Sequence, residues 1–328
     1  MAELHRARRR APLLLGAAAA LGALPAPPAC AQGAGSAGAE ILQMPAGARA
    51  TALGGAYTAA FGDPDAVFYN PASVAWLRKA AGLGYQAYVQ DVSVGSLSGA
   101  LRAGPLGLGA GVLFLDAGSL EEIVPDPAYG GERGRGTGER VSATEAAARL
   151  AAARTLPGGR AAVGLSLGIV TSNLAGVSRD ALFLDAGAQL RVGRRLSLGG
   201  SLRNVGTALG SAEMGDAPLP AQARVGAAYD HRIGAAYGAR AFADAVWGIQ
   251  EQSAGLALGA EAGLLPPGGA VSAVLRAGVA LGEGEGNLGR LRFGGGVSIG
   301  SVAVDYAVQA FEYLGTIHRV GIRWSRLE

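Results

Sequence analysis

The sequence predicts an all-β fold, a 14-stranded antiparallel transmembrane β-barrel with an N-terminal hatch segment folded into the lumen. Three observations lead there. Glycine, 55 of 328 residues, recurs at every second position of runs whose other positions are Val, Leu and Ile, which is the two-residue period of a strand. Most of these runs are 10 to 13 residues long, whereas strands of globular proteins peak at about 5–6 residues and strands that cross a membrane need about 9–11. Beyond the first 31 residues no apolar run reaches 18. Helices therefore cannot cross lipid, and a closed barrel is the other arrangement that satisfies every backbone group there.

Residues 1–31 read as a secretory signal peptide. Arg6, Arg8, Arg9 and Arg10 form a basic front, Leu13 to Leu24 an apolar stretch, and Ala29-Cys30-Ala31 a small-residue cleavage site before Gln32. A lipoprotein leader with Cys30 as the lipidated residue is the rival reading, disfavoured by Pro27 and Pro28. The leader carries four arginines and one glutamate, the whole formal charge of +3. The chain beyond it is nearly neutral and has no basic patch with interleaved aromatic residues, so no nucleic-acid partner is expected. Cleavage also removes the only cysteine, which leaves packing and hydrogen bonding to hold the fold.

Residues 32–79 are expected to form the hatch. In AFGDPDAVFYNPASVAWL, residues 60–77, Pro64 and Pro71 break any strand ladder. Asp63-Pro64 and Asn70-Pro71 start turns, and Asn70 can cap a short helix that begins at Pro71 and runs through Ala75 to Leu77. Phe61, Val67, Phe68, Tyr69 and Trp76 would be an aggregation hazard in water, whereas inside a barrel they have a surface to pack on. The plainer alternative is a periplasmic tail with one turn and one helix. Should the barrel pass a solute, Phe61, Phe68, Tyr69 and Trp76 are the residues expected along its path.

Residues 80–328 are expected to form the barrel. Strands are placed at 81–90, 93–103, 106–116, 141–155, 160–172, 180–192, 195–204, 221–230, 237–247, 254–264, 271–282, 289–299, 301–311 and 316–325. Val163, Leu165, Leu167 and Ile169 share one face, with Gly164, Ser166 and Gly168 opposite. Near the end, Val320, Ile322 and Trp324 alternate with Arg319, Gly321 and Arg323. Arg203, Arg224, Arg240, Arg276, Arg292, Asp185, Asp230, Asp244 and Asp305 fall on the small-residue face too, which suits a wet lumen. A soluble secreted sandwich, barrel or propeller shows the same alternation, and strand length with this charged face argues against it. Tight glycine turns at 102–106 and 156–159 contrast with long connections at 117–140 and 205–220, as the two ends of an outer-membrane barrel do.

Catalytic chemistry finds no support. His231 and His318 lie on separate strands without metal-ligand spacing. Asp63 and Asp65 are spaced like calcium ligands, but no glycine or glutamate completes the loop. The single lysine, Lys79, follows no phosphate-loop glycines, and no G-x-S-x-G elbow occurs. No enzyme, cofactor or metal is expected.

The block GARATALGGAYTAAFGDPDAVFYNPASVAWL, residues 47–77, resembles the N-terminal signature of the PorV/PorQ proteins, relatives of FadL-type outer-membrane transporters. The shared residues are Gly47-Ala48-Arg49, Gly54-Gly55-Ala56, Asp63, Ala66 and Asn70-Pro71-Ala72, and the likeness returns at 202–206, 220–229 and 304–324. It implies a 14-stranded outer-membrane barrel with a hatch in which Asn70, Pro71 and Ala72 match the transporters' motif. PorV-like proteins serve a type IX secretion system and receive its cargo, while FadL-like relatives pass hydrophobic molecules. The implied partners are outer-membrane lipid with secretion components or cargo, or else a hydrophobic solute. The sparse apolar content of 117–140 (Leu120, Ile123, Val124, Tyr129) inclines the sequence reading towards the interaction role.

Overall fold

The computed structural model describes residues 36–327 apart from 89–91, 131, 212–214, 235, 265–270, 283–289 and 312–314. The leader therefore lies outside the described residues. Sixteen strands follow an N-terminal segment of short helical turns: β1 (Leu77–Ala87), β2 (Ser93–Ala103), β3 (Leu106–Pro125), β4 (Gly134–Thr155), β5 (Ala161–Leu174), β6 (Val177–Val192), β7 (Leu196–Gly206), β8 (Leu209–Ser211), β9 (Gly215–Ala217), β10 (Gln222–Ile233), β11 (Tyr237–Gly248), β12 (Ser253–Leu264), β13 (Val271–Leu281), β14 (Leu291–Ile299), β15 (Val302–Phe311) and β16 (Gly315–Leu327). Each of the fourteen long strands pairs antiparallel with its neighbours, β7 pairs with β10, and β1 pairs with β16 to close the wall. The short β8 and β9 form a hairpin in the connection from β7 to β10 and touch β6 at Asp180.

Alternation sorts the wall into two faces. On β5, Val163, Leu165, Leu167 and Ile169 are exposed while Gly164, Ser166 and Gly168 between them are buried, so over this stretch the apolar side chains point outwards and the small positions inwards. Tyr85, Phe114 and Phe293 sit near the long-loop ends of their strands and Tyr229, Tyr237 and Trp324 near the short-turn ends, all exposed. An apolar band flanked by two aromatic girdles is the surface that lipid requires.

Two boundaries differ from the sequence reading. The wall begins at Leu77, so Leu77, Arg78 and Lys79 belong to β1; Leu77 already pairs with Leu327 directly after the helical turn ends at Trp76. The connection at 117–140 is largely ordered ladder, because β3 and β4 run past their partners as a protruding hairpin with bulges near Asp116 and Glu121. Both of its faces meet water, which erases the apolar alternation that marks a half-buried strand.

Residues 36–76 occupy the barrel interior, and the inward glycines explain how backbone can come so close to wall. A Cβ on Gly164 of β5 would lie 2.7 Å from the Ala72 amide nitrogen, and one on Gly278 of β13 only 2.2 Å from the amide nitrogen of Gly54. Those strands face each other across the lumen. Glycine at alternate positions is thus the imprint of a segment pressed against the wall.

Candidate functional site

Local sequence shapes the interior segment. A short helix, Ala48–Ala52, ends at Gly54 and Gly55, whose φ values of 69° and 81° allow the left-handed reversal. Asp63 then caps a 3₁₀ turn, Pro64–Phe68, by accepting from the Asp65 amide, and Asn70 caps a second, Pro71–Trp76, by accepting from the Ala72 amide. Each cap is followed by proline at the first helical position, where a missing N–H costs nothing.

Asn70 does more than cap. Its Nδ2 donates to the carbonyls of Thr58 at 3.0 Å, Ala188 of β6 at 3.1 Å and Gly200 of β7 at 3.3 Å. Gly187 leaves room for it, since a Cβ there would fall 2.0 Å from the Asn70 Oδ1. The structure therefore brings Asn70, Pro71 and Ala72 together at the wall of β5, β6 and β7, and places Gly54 and Gly55 on the opposite side.

There the segment is held by charge. Arg49 donates to Glu261 of β12 at 3.1 and 3.2 Å and to Asp63 at 3.4 Å. Asp63 also accepts from Arg323 of β16 at 2.7 Å, and Arg323 donates to Asp305 of β15 at 2.6 Å. Arg276 of β13 closes the circuit, donating to Asp305 and to Glu261 at 2.6 Å each. Three guanidinium groups and three carboxylates alternate, all buried or nearly so. Tyr57 donates its hydroxyl to Asp63. Asp244 of β11 accepts from the Tyr57 and Thr58 amides, from the Thr58 hydroxyl and from Arg224 of β10. The lumen-facing charges are where the sequence placed them, but many bond to one another and to the segment rather than lining open water; only the pair Arg240–Asp230 is substantially exposed, at 41 % and 46 %.

Asp63 and Asp65 part company electrostatically. Burial opposes ionisation of Asp63, yet Arg323 and Arg49 hold its carboxyl below the ordinary value. For Asp65, burial and then the neighbouring Asp63 charge push the carboxyl up to about 7, against a hydrogen bond from the Ser98 hydroxyl of β2.

The four aromatic residues expected along a path divide into two pairs. Phe61 and Trp76 meet edge to face at 5.2 Å at the short-turn end, with the Arg191 guanidinium over both rings and the Trp76 Nε1 donating to Gln189. Phe68 and Tyr69 lie on the long-loop side, where they line a cavity of about 230 Å³ together with Arg203, Arg224, Arg292 and Leu113. A smaller cavity of about 80 Å³ adjoins Phe61 on the other side. The interior segment stands between them.

Sequence reasoning passed over Glu261, Tyr57 and the circuit they complete. Glu261 stands among small residues in LALGAEAG, and a lone carboxylate on an otherwise small face was the available signal.

No protein-family model matches the chain, and no curated protein matches it. Among solved structures it is similar to a mutant of the monoaromatic hydrocarbon channel TodX named deltaS2S3, at a TM-score of 0.58 and 12% identity over 86% of this chain and 99% of that one. It is similar also to the P. putida toluene transporter TodX (TM-score 0.54, 10% identity, 86% and 99% covered) and to the Ralstonia pickettii toluene transporter TbuX (TM-score 0.54, 16% identity, 86% and 98% covered). At such identities the likeness is one of fold, a closed 14-stranded antiparallel barrel.

Proposed function

We propose that this chain is an outer-membrane channel for hydrophobic small molecules, exported by its leader, with the interior segment, residues 36–76, as a hatch that gates diffusion. The observation that carries the reading is the position of the interior segment between two cavities, each lined by two of the aromatic residues or by one of them. It is fastened by hydrogen bonds and ion pairs that water can replace. The apolar outer band and the likeness in fold to toluene transporters support it. The hatch motif is then Asn70-Pro71-Ala72 with Gly54, Gly55 and Asp63, and Phe61, Phe68, Tyr69 and Trp76 flank the solute path.

A cysteine pair tests the hatch. The side chains of Asp65 and Ser98 meet at 2.5 Å, and the chain beyond the leader has no other cysteine. Asp65→Cys with Ser98→Cys, oxidised in proteoliposomes, should stop toluene uptake, and reduction should restore it. Equal uptake in both redox states would refute gating by this segment.

A second reading, an accessory component of a secretion machine, is favoured by the protruding β3–β4 hairpin, which exposes Leu120, Ile123 and Tyr129. Replacing 118–139 with a short glycine-serine turn separates the two, since a channel keeps its toluene uptake and a docking protein loses its partner.

A further inference from the structure

The long-loop cavity has a charge that a channel for neutral hydrocarbons does not need. Arg203, Arg224 and Arg292 line it, and none of its described lining residues is an aspartate or glutamate. In the circuit around Arg49 every guanidinium has a carboxylate. Arg203 differs: it is buried, its Nε has no partner, and its Nη1 reaches only the Gln222 Oε1 at 3.5 Å. Arg224 spends one Nη on Asp244 and the Gly55 carbonyl, while its Nε has no partner. Both guanidinium groups lie 5.6 Å from the Tyr69 ring centre, and all three side chains line the same cavity. The nearby Asp185 carboxylate is bonded to Arg149, Ser166 and the Asn204 amide, so Arg203 has no direct ion pair, and a buried guanidinium so placed gains from an anion that supplies one.

We propose that this cavity binds a small organic anion with an apolar body, a carboxylate of benzoate size, its oxygens on Arg203 and Arg224 and its ring against Leu113 and Leu256. The guanidinium fork matches a planar carboxylate with two parallel hydrogen bonds. Size limits the body: about 230 Å³ equals the liquid volume of roughly eight waters, room for a single ring and not for a long acyl chain. The proposal rests on the channel reading and narrows its solute class from hydrocarbons to their acids.

Equilibrium dialysis of the detergent-solubilised full chain against labelled benzoate at pH 7, with toluene uptake measured in parallel, tests it. Saturable benzoate binding is expected, weakened about tenfold or more by Arg203→Gln, as loss of a charge-assisted hydrogen bond predicts. Leu256→Trp, which fills the cavity without altering charge, should abolish it. Should Arg203→Gln fail to assemble, as judged by loss of its heat-dependent mobility shift, the Leu256→Trp result decides. Benzoate binding that survives both variants, no saturable binding, or inorganic sulfate binding as tightly as benzoate would overturn the proposal. Toluene uptake without benzoate binding sinks the anion site alone, whereas benzoate binding without uptake of either solute sinks the channel and leaves the site.

Discussion

Asn70→Ala should release the interior segment while sparing the barrel. The Asn70 amide has two N–H groups for three carbonyls within 3.0–3.3 Å, so one hydrogen is shared. Two net hydrogen bonds at about 1 kcal/mol each, with about 1 kcal/mol for the cap on Ala72, put the loss near 3 kcal/mol. That multiplies the population of the released segment by about 150. The wall ladder loses nothing, because the Ala188 and Gly200 carbonyls belong to strands paired along their length. Two assays read this out: amide exchange of residues 58–76, which should accelerate, and toluene uptake in proteoliposomes, which should rise, both with an unchanged heat-dependent mobility shift. Unaltered exchange over 58–76 would refute the view that Asn70 fastens this segment to β6 and β7.

Three further perturbations probe the other attachments. Glu261→Gln strips Arg49 and Arg276 of a shared carboxylate and should cost about 3–5 kcal/mol of stability, read as a lowered thermal midpoint; in a double-mutant cycle with Arg49→Gln, a coupling below about 0.5 kcal/mol would deny the pair its role. Gly278→Ala drives a methyl into the backbone of Leu53 and Gly54, where nothing flexible can yield, whereas Gly95→Ala on β2 meets nothing within 4 Å; uptake should rise in the first and stay level in the second, and equal uptake in both would refute close packing at β13. Asp65 gives a pH dependence. Its folded value of about 7 lies above the ordinary 3.8, so the packed segment favours the protonated form, and the stabilisation is full below about pH 4 and lost as pH rises through 7. Asp63, Ser98, Arg323 and Asp305 face this carboxyl. Protection over 58–76, with the intrinsic pH dependence of amide exchange divided out, should therefore fall between pH 5 and pH 8 in the native chain and not in Asp65→Asn; native protection that stays level would overturn the assignment.

The barrel was legible because lipid imposes a strict code: from Val163 to Ile169 of β5 each outward position is apolar and each inward one is glycine or serine, so period and strand length together identify a membrane wall. The cap at Asn70 was legible too, being a local bond between neighbours in sequence. The outer arms of β3 and β4 were not, since water on both sides leaves their residues unconstrained. Nor was the charge circuit. Its six members come from the interior segment and from β12, β13, β15 and β16, and no spacing in the chain announces which strands will face one another. What the sequence did carry was one half of each contact, the glycine or the lone charge, without its partner.

The two sides of the interior segment are fastened by different physics. Towards β3, Val67, Phe68 and Val74 lie against Gly109 and Gly111, where a Cβ would fall within 2.6 Å of a side-chain carbon, and separation there exposes apolar surface at about 25 cal/mol per Å². Towards β12–β16 the alternating circuit of arginines and carboxylates is added to the packing of Ala52 and Leu53 on Gly294, Gly259 and Gly278. Buried ion pairs contribute little net stability because hydration of the separated charges nearly offsets their attraction. Opening on the charged side lets water solvate three arginines and three carboxylates together, which offsets part of its cost, whereas on the β3 side no such hydration compensates the exposed apolar surface. On the hatch reading proposed above, the segment would swing on its β3–β7 contacts and open against β12–β16, past Glu261, Arg276 and Asp305.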